Sequence, residues 1–328
     1  MEDIKNIVRK LTEYNIRFEE NVLLKNRTWI KTGGVASLFI TPVSVDELVE
    51  IIHIFKKDNV GFEIVGHTSN LYYLDDYNPT AIVATNKIKS FREKANYIEC
   101  ECGVPTSTIS RYCVEKGFTG YSGLVNLPGT VGAAICNNSS CFECSLSEHL
   151  IDATFYDLDK NEIIHLVPSD FNFTYRNSNI KTGKLNGVLL TLRFNKKYGV
   201  IKEEKAKAEE ATIIRKRTQE APAYTLGSVY AGLIPQNDVL AKIAVCVGGV
   251  LRHCNIYTKK RYIRFVLTLY GFSDIKDFVS DKVINTFKWL PNRNDKYEKF
   301  QRYCAFINKA YKDPKLEIEI RDGNRKFR

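Results

Sequence analysis

Two glycine-bearing loops, roughly sixty residues apart, constrain the fold of this chain more than any other feature of its sequence. The first reads Val-Gly-His-Thr-Ser-Asn from Val65 to Asn70, and the second reads Leu-Pro-Gly-Thr-Val-Gly-Ala-Ala from Leu127 to Ala134. Glycine lets backbone N–H groups approach an anion, and consecutive N–H groups in such turns form concavities that bind phosphate. Two such loops predict a ligand with two phosphates, such as a dinucleotide. Neither matches the GxGxxG of a Rossmann turn or a P-loop with its Lys-Ser/Thr.

The composition is that of a globular chain with two or three domains, because 44% of the 328 residues are hydrophobic and 26% are charged. The longest apolar run, Ile243 to Leu251, has nine residues and includes two glycines, which is too short to span a bilayer. The start of the chain, Met1 to Lys5, lacks the apolar core of a signal peptide. We therefore expect a cytoplasmic chain with no membrane partner.

The formal net charge of +10 is compatible with a nucleic-acid ligand or with a phosphorylated small molecule. The basic residues are spread along the chain, and the strongest run, Arg215 to Arg217, ends a Lys- and Glu-rich segment that is typical of a solvated helix. This distribution favours a phosphorylated small molecule over nucleic acid.

Nine cysteines in a reducing compartment are not expected to form disulfides. Cys136, Cys141 and Cys144 have the C-x4-C-x2-C spacing that a plant-type iron–sulfur protein uses. A fourth ligand would have to come from Cys100, Cys102 or Cys113. Because free cysteine commonly serves as a small buried residue, we expect no metal.

Hydrophobic periodicity predicts alternating helices and strands through the first two thirds of the chain. Ser44 and Glu47 form a capping-box pattern that predicts a helix, and the strand Phe62–Val65 leads directly into the first glycine loop. Further predicted elements are a helix over residues 4–11, strands over 81–85, 98–102 and 188–194, a helix over 106–116, a hairpin of strands 153–157 and 162–166, helices over 202–217, 275–290 and 296–311, and a strand over 316–320.

In this arrangement the chain resembles the UDP-N-acetylenolpyruvoylglucosamine reductase family, the FAD enzymes that complete UDP-N-acetylmuramate in bacterial cell-wall synthesis. The resemblance extends from about Arg27 to Phe194. The motifs that carry it are Thr32-Gly-Gly34, Gly66–Asn70, Gly103, Leu127–Ala134, Asn138 and the string Phe173-Thr-Tyr-Arg-Asn-Ser178. It implies an α+β fold: a two-subdomain FAD-binding part of the vanillyl-alcohol oxidase (PCMH) type and a smaller α+β C-terminal substrate domain.

We accordingly expect FAD-binding subdomains at residues 1–85 and 86–200 and a substrate domain at 201–314, with the strand at 315–328 returning toward the first subdomain. The expected partners are NADPH, or NADH, and a nucleotide sugar, and the expected assembly is a monomer or a small homo-oligomer. The residues that the resemblance assigns to FAD are Gly66, His67, Thr68, Ser69, Asn70, Pro128, Gly129, Thr130, Gly132, Ala133 and Asn138.

The resemblance also implies a catalytic set. Arg176 lies in the string similar to the family's Tyr-Arg-x-Ser, Ser228 lies where the family has its proton-donating serine, and Glu319 matches the second glutamate of a terminal Leu-Glu-x-Glu-Val-Arg. Tyr175 and Tyr230 are the expected substrate-binding residues. A guanidinium suits the carboxylate beside the carbon being reduced, because it binds both oxygens and stabilises developing enolate charge. A positioned serine can deliver the proton.

The chain departs from the family pattern in three places, one of which is the loop after Asn138, where Ser140 and Glu143 replace expected glycines. The residues after Ser228, Val229 to Leu233, replace the family's Phe-x-Asn-Pro, which commonly has a lysine before the asparagine. The first loop has His67 and Thr68 where glycines are usual. The departure after Ser228 favours, as an alternative, a divergent flavoenzyme that acts on another nucleotide sugar. A second alternative is a non-catalytic flavin-binding protein. His67 raises the possibility of covalent FAD attachment, although we expect non-covalent binding.

Overall fold

The computed structural model describes residues 2–221 and 223–322. Its helices are α1 (Glu2–Glu13), α2 (Val45–Lys57), α3 (Thr106–Glu115), α4 (Val131–Cys136), α5 (Ile201–Thr218), α6 (Val239–His253), α7 (Lys259–Leu269) and α8 (Lys296–Ala310). None of the helices in these two ranges combines the length and the hydropathy that crossing a bilayer requires.

Most of the strands belong to two sheets, and several two-residue strands form short pairs. The strands are β1 (Phe18–Leu23), β2 (Val35–Ile40), β3 (Glu63–Val65), β4 (Leu71–Tyr73), β5 (Ala81–Ala84), β6 (Phe91–Glu93), β7 (Tyr97–Glu101), β8 (Ser140–Cys141), β9 (Cys144–Ser145), β10 (Leu150–Asp157), β11 (Glu162–Leu166), β12 (Gly187–Asn195), β13 (Tyr230–Ala231), β14 (Ile234–Pro235), β15 (Tyr311–Lys312), β16 (Lys315–Leu316) and β17 (Glu319–Arg321).

The chain forms two compact units. Within the described residues, the first comprises 2–24, 35–69 and 78–212, and the second comprises 25–34, 70–77 and 213–322. The division of the chain at residues 85, 200 and 314 stays a prediction.

The first unit contains a sheet of order β1-β2-β5-β3, in which β5 is parallel to both β2 and β3. Helix α2 is amphipathic, as predicted, and buries Leu48, Ile52 and Phe55 in the core. Its N-cap is also as predicted, because the Ser44 hydroxyl accepts a hydrogen bond from the backbone N–H of Glu47 at 3.1 Å. Strand β3 ends at the first glycine loop, so the position of that loop is set by the edge of this sheet.

The second sheet of the first unit is antiparallel, with order β11-β10-β12-β7-β6. The predicted hairpin is confirmed as β10 and β11, which pair from Ala153↔Leu166 to Asp157↔Glu162. The Asp157 carboxylate closes the turn by accepting hydrogen bonds from the N–H groups of Asp159 and Lys160 at 2.9 and 3.0 Å. Helix α4 packs closely on this sheet because Gly132, which donates a backbone hydrogen bond to Cys102 at 2.8 Å, has no side chain.

The second unit has an aromatic core in which Phe287 contacts Trp289, Phe300 and Tyr303. The predicted helix over 275–290 is wrong: a 3-10 turn at Ser273–Ile275 is followed by irregular chain. The Ser280 hydroxyl accepts hydrogen bonds from the N–H groups two and three residues on, at 3.0 and 3.2 Å, which competes with helix formation. Helix α6 was not predicted, because Gly248 and Gly249 lower the helical propensity of its apolar run.

The predicted final strand is interrupted at residues 317 and 318. Its first part, β16, pairs with β13, and its second part, β17, runs parallel to β4 with Glu319 opposite Leu71. Between them, the backbone N–H groups of Glu317 and Ile318 both point at the carbonyl oxygen of Val229, at 2.9 and 3.5 Å. Ile318 is buried in the core of the second unit, which explains the change of direction.

Candidate active site

The two glycine loops meet in the first unit. A Cβ atom on Gly66 would lie 2.5 Å from the Thr130 hydroxyl oxygen, so the backbone of the first loop runs against the second. A Cβ on Gly129 would lie 3.2 Å from the Ser69 hydroxyl oxygen, and Gly129 has a φ of +110° that strongly favours glycine. The glycines are therefore needed for the close approach of one loop to the other, and the two loops that the sequence predicts for a dinucleotide lie side by side.

The local backbone suits an anion. Thr68, which is buried, has a left-handed φ of 55° inside the first loop. Thr130 caps α4 by accepting a hydrogen bond from the N–H of Ala133 at 3.4 Å. Turns that contain a left-handed residue direct successive N–H groups into one concavity, which is the arrangement that binds phosphate oxygens. The residues present thus fit a pyrophosphate.

His67 is half-buried in the same loop. Burial lowers the pKa of its imidazole, so the ring is neutral at neutral pH. It can accept or donate a hydrogen bond to a ligand without adding charge.

Asn138 joins the second loop to the segment that carries the predicted catalytic arginine. Its side-chain amide donates a hydrogen bond to the carbonyl of Thr174 at 2.7 Å, and its side-chain oxygen accepts one from Ser147 at 2.6 Å. The Ser178 hydroxyl makes a second link by donating to the carbonyl of Cys136, at the end of α4, at 2.6 Å. The structure therefore brings the Arg176 turn to the C-terminal end of α4.

Arg176 lies at the tip of a tight turn. Thr174 and Asn177 exchange two backbone hydrogen bonds of 3.1 Å, which leaves Tyr175 and Arg176 as the corner residues. Arg176 is half-buried with a φ of +56°, a conformation that costs a residue with a side chain about 1–2 kcal/mol. Tyr175 is 69% exposed, and the guanidinium carbon of Arg176 is 5.6 Å from its ring centre. Strain held at one arginine by surrounding hydrogen bonds is typical of functional positions.

Ser228 lies in the second unit and is exposed. It follows Gly227, which has a φ of +77° with open space around it. The residues after it are anchored, since Val229 and Tyr230 donate backbone hydrogen bonds to the carbonyl and the side-chain oxygen of Asn285 at 2.9 and 3.0 Å. The serine is therefore presented on a fixed backbone. Sequence reasoning missed Asn285, which lay inside the helix that was wrongly predicted.

Tyr230 is only 4% exposed and packs against Tyr303 in the aromatic core. Burial raises the pKa of its hydroxyl. The position gives Tyr230 a packing role, and its part in substrate binding stays a prediction.

Glu319 lies in the same unit as Ser228 and on a neighbouring segment. Its backbone N–H donates to the carbonyl of Asn70 at 2.9 Å, and the Asn70 side chain donates to the carbonyl of Glu317 at 3.2 Å. The Arg321 guanidinium donates to the Glu319 carboxylate at 3.1 Å. The backbone N–H of Ile318, the residue before Glu319, points at the carbonyl oxygen of Val229, the residue after Ser228. This contact brings the Ser228 segment next to the Glu319 segment.

The three cysteines with iron–sulfur spacing lie at the end of α4 and in the β8–β9 pair. Cys141 and Cys144 face each other across the β8–β9 pair, and burial raises the pKa of the Cys144 thiol. Among the described residues, no group of three or more His, Cys, Asp or Glu side chains is arranged to hold a metal ion.

Residues 36–166, which include both glycine loops, match the family described as "FAD binding domain". A protein from Caldicellulosiruptor saccharolyticus named UDP-N-acetylenolpyruvoylglucosamine reductase is 34% identical over 226 residues, covering 68% of this chain and 71% of that protein. One of the same name from Prochlorococcus marinus is 30% identical over 233 residues, covering 70% and 77%.

A solved structure, that of UDP-N-acetylenolpyruvylglucosamine reductase from Thermus caldophilus, superimposes with a TM-score of 0.67 at 17% identity, covering 94% of this chain and all of that one. At that identity the likeness shows a shared fold. Together with the match to the FAD-binding domain, it confirms the predicted α+β fold with a two-subdomain FAD-binding part.

Proposed function

The chain belongs to the UDP-N-acetylenolpyruvoylglucosamine reductase family, and on this premise we propose that it reduces the enolpyruvyl group of UDP-N-acetylglucosamine enolpyruvate with NADPH. It is an FAD-dependent oxidoreductase of the type that serves peptidoglycan biosynthesis. The observation that carries the proposal is the contact between the Gly66 and Thr130 loops, which builds one dinucleotide cradle from two distant stretches of sequence.

The chemistry supplied by bound FAD is two-electron transfer between NADPH and the substrate double bond. The loops around Gly66–Asn70 and Pro128–Ala133 would hold its pyrophosphate through backbone N–H groups, and Asn138 would fix the second loop. We propose that the cofactor is bound without a covalent link at His67, whose neutral ring serves as a hydrogen-bonding group.

We propose that Gly66→Ala weakens FAD binding. The new methyl group would lie 2.5 Å from the Thr130 hydroxyl oxygen, so one loop must move or Thr130 must leave its cap position. Overpacking of this kind costs about 1–3 kcal/mol, and 1.4 kcal/mol corresponds to roughly a tenfold rise in the FAD Kd. Fluorescence titration of the apoprotein measures that constant.

The matched control for this variant is Gly61→Ala, because a Cβ on Gly61 meets nothing within 4 Å. Gly61→Ala should bind FAD as the natural protein does. If both variants bound FAD with unchanged affinity, the two loops would not form the cofactor site.

The proposed catalytic roles follow from the side-chain chemistry. The Arg176 guanidinium binds the substrate carboxylate through two parallel hydrogen bonds and stabilises negative charge that spreads onto it as the double bond is reduced. Ser228 donates a proton to the carbon that gains electron density. Glu319, held by Arg321, orients the substrate beside Ser228.

The visible spectrum of the purified protein tests the function directly. We expect an FAD spectrum that is bleached by NADPH without oxygen and restored by UDP-N-acetylglucosamine enolpyruvate. Denaturation should release the FAD and leave a protein with no added mass. A protein that takes up no FAD would contradict the proposal.

A specific observation favours a second candidate, a paralogue that acts on another nucleotide sugar. Residues 229–233 read Val-Tyr-Ala-Gly-Leu and offer neither the lysine nor the asparagine expected after the catalytic serine. In that case NADPH would bleach the spectrum and the enolpyruvyl sugar would not restore it. We propose that the reaction takes place in the cytoplasm.

A further inference from the structure

The segment between Asp238 and Asp274 is the longest in the chain without an acidic side chain, and it contains six lysines or arginines together with His253. It forms α6 and α7 of the second unit. Because the chain as a whole carries a net charge of +10, this one segment accounts for a large part of it.

Helix α6 presents apolar side chains to the surface. Val239, Val245 and Val250 are 70%, 67% and 60% exposed, and Ile243 is 39% exposed. The fully buried positions of the helix are the small residues Ala244 and Gly248. Leu240 packs against the core, but Val239, Ile243, Val245 and Val250 face solvent, and an exposed apolar patch of this kind commonly marks an interaction site.

The exposed basic residues lie where the helices end and begin. Arg252 and His253 form the last turn of α6, and Lys259, Lys260 and Arg261 form the first turn of α7. Positive charge at a helix N-terminus interacts unfavourably with the helix dipole, so Lys259, Lys260 and Arg261 reduce the stability of α7. Within the described chain, the acidic partner of this segment is Asp281, which pairs with Lys260 at 2.9 Å and Arg264 at 3.5 Å. Arg261 also donates to the carbonyl of Ile256 at 3.1 Å, and the Arg252 guanidinium lies 5.0 Å from the centre of the Tyr257 ring, but neither contact neutralises a charge. Internal packing thus explains neither the exposed apolar side chains of α6 nor the positive charge of Lys242, Arg252, Lys259 and Arg261.

We propose that this α6–α7 surface, formed by the exposed apolar side chains of α6 and the basic side chains at the α6–α7 junction, docks on a bilayer that contains anionic lipid. An apolar helix face with basic residues beside it lies in the plane of the membrane interface, with its apolar side chains inserted and its cations near the lipid phosphates. Docking of this kind needs no membrane-spanning helix, and it differs from the expectation of no membrane partner that followed from the sequence.

Neither a second copy of the chain nor a nucleic acid matches this surface as well as an anionic bilayer does. A second copy docked through α6 would bring Lys242, Arg252 and Lys259 close to their like-charged equivalents, which is unfavourable. Nucleic acid would satisfy the cations but would leave Val245 and Val250 exposed. An anionic bilayer can bury the apolar side chains of α6 and pair the basic side chains with lipid phosphates.

The test is co-sedimentation of the full-length, FAD-loaded protein with vesicles. We expect binding to vesicles of equal parts phosphatidylcholine and phosphatidylglycerol, and little binding to phosphatidylcholine alone. Raising the salt from 0.15 to 1 M shortens the Debye length from about 8 to about 3 Å and should release most of the protein. Analytical ultracentrifugation without vesicles reports any self-association.

Two sets of variants separate the apolar from the electrostatic contribution to vesicle binding. Val245→Glu with Val250→Glu should abolish binding, and the triple change Lys242→Gln, Arg252→Gln and Lys259→Gln should weaken it by roughly a hundredfold, since each cation near an anionic surface contributes about fivefold. The matched controls carry the same substitutions at other exposed positions, namely Val43→Glu with Ile163→Glu, and Lys25→Gln, Lys89→Gln and Lys184→Gln.

The controls should bind vesicles as the natural protein does, and all variants should retain bound FAD. The proposal is overturned by equal binding to neutral and anionic vesicles, by binding to neither, or by equal losses in the controls. A concentration-dependent dimer that is lost in the Val245→Glu and Val250→Glu variant, without vesicle binding, would assign the surface to a second copy instead.

Discussion

Replacing Ser228 with alanine is expected to slow the step that consumes UDP-N-acetylglucosamine enolpyruvate by roughly 10²–10⁴-fold, the usual contribution of a positioned proton donor. The rate at which NADPH bleaches the FAD spectrum should not change, because that half-reaction needs no proton from serine. Ser228 is exposed on a backbone that Asn285 fixes, so the substitution removes one hydroxyl without disturbing packing. Anaerobic stopped-flow absorbance measures the two half-reactions separately.

The control for this prediction is Ser273→Ala, which removes another exposed serine hydroxyl from the second unit. Its two half-reactions should both match those of the natural protein. If Ser228→Ala also matched it in both, the serine would not be the proton donor.

Changing Arg176 to glutamine is expected to lower kcat by roughly 10²–10³-fold, which corresponds to about 2.7–4 kcal/mol of lost charge stabilisation. Arg176→Lys should recover only part of this, because an ammonium group does not make the two parallel hydrogen bonds of a guanidinium. The turn itself should survive, since Thr174 and Asn177 hold it through backbone hydrogen bonds. Steady-state kinetics with the enolpyruvyl sugar as the varied substrate give kcat and KM.

The relation between these two constants distinguishes the possible roles of Arg176. A fall in kcat indicates an interaction made in the transition state, whereas a rise in KM alone would mean that the arginine only binds the ground state, contrary to the proposed role. Arg92→Gln removes an exposed arginine from β6 of the same unit and should leave both constants unchanged.

The sequence was most informative where local signals agree with one another. The β10–β11 hairpin was correctly predicted because alternating apolar residues flank a turn that the Asp157 carboxylate closes. Helix α3 was predicted within one residue, because its periodic pattern is followed by Gly117, whose φ is +76°. In both cases periodicity and turn chemistry indicate the same boundaries.

Sequence reasoning failed where long-range contacts decide the structure. Ile275, Phe278 and Val279 have helical spacing, yet they are buried by an irregular chain whose path depends on Ser280 and on the core position of Phe287. The proximity of Ser228 to Glu319 likewise rests on the carbonyl of Val229, which accepts from Glu317 and Ile318. A backbone acceptor is present at every residue, so no sequence pattern reveals which one is used. The family resemblance indicated Ser228 and Glu319, and only the structure shows the backbone contact that brings their segments together.

The pairing of β17 with β4 has a consequence for how the protein is made. Glu319 follows Leu71, its partner in this pair, by 248 residues in the sequence. The second unit therefore cannot complete this pair until the chain has been synthesised through Arg321, and a nascent chain that has not reached Glu319 lacks this residue even when both glycine loops are already present. A chain broken off between the two strands would thus keep both glycine loops and lose the strand that carries Glu319.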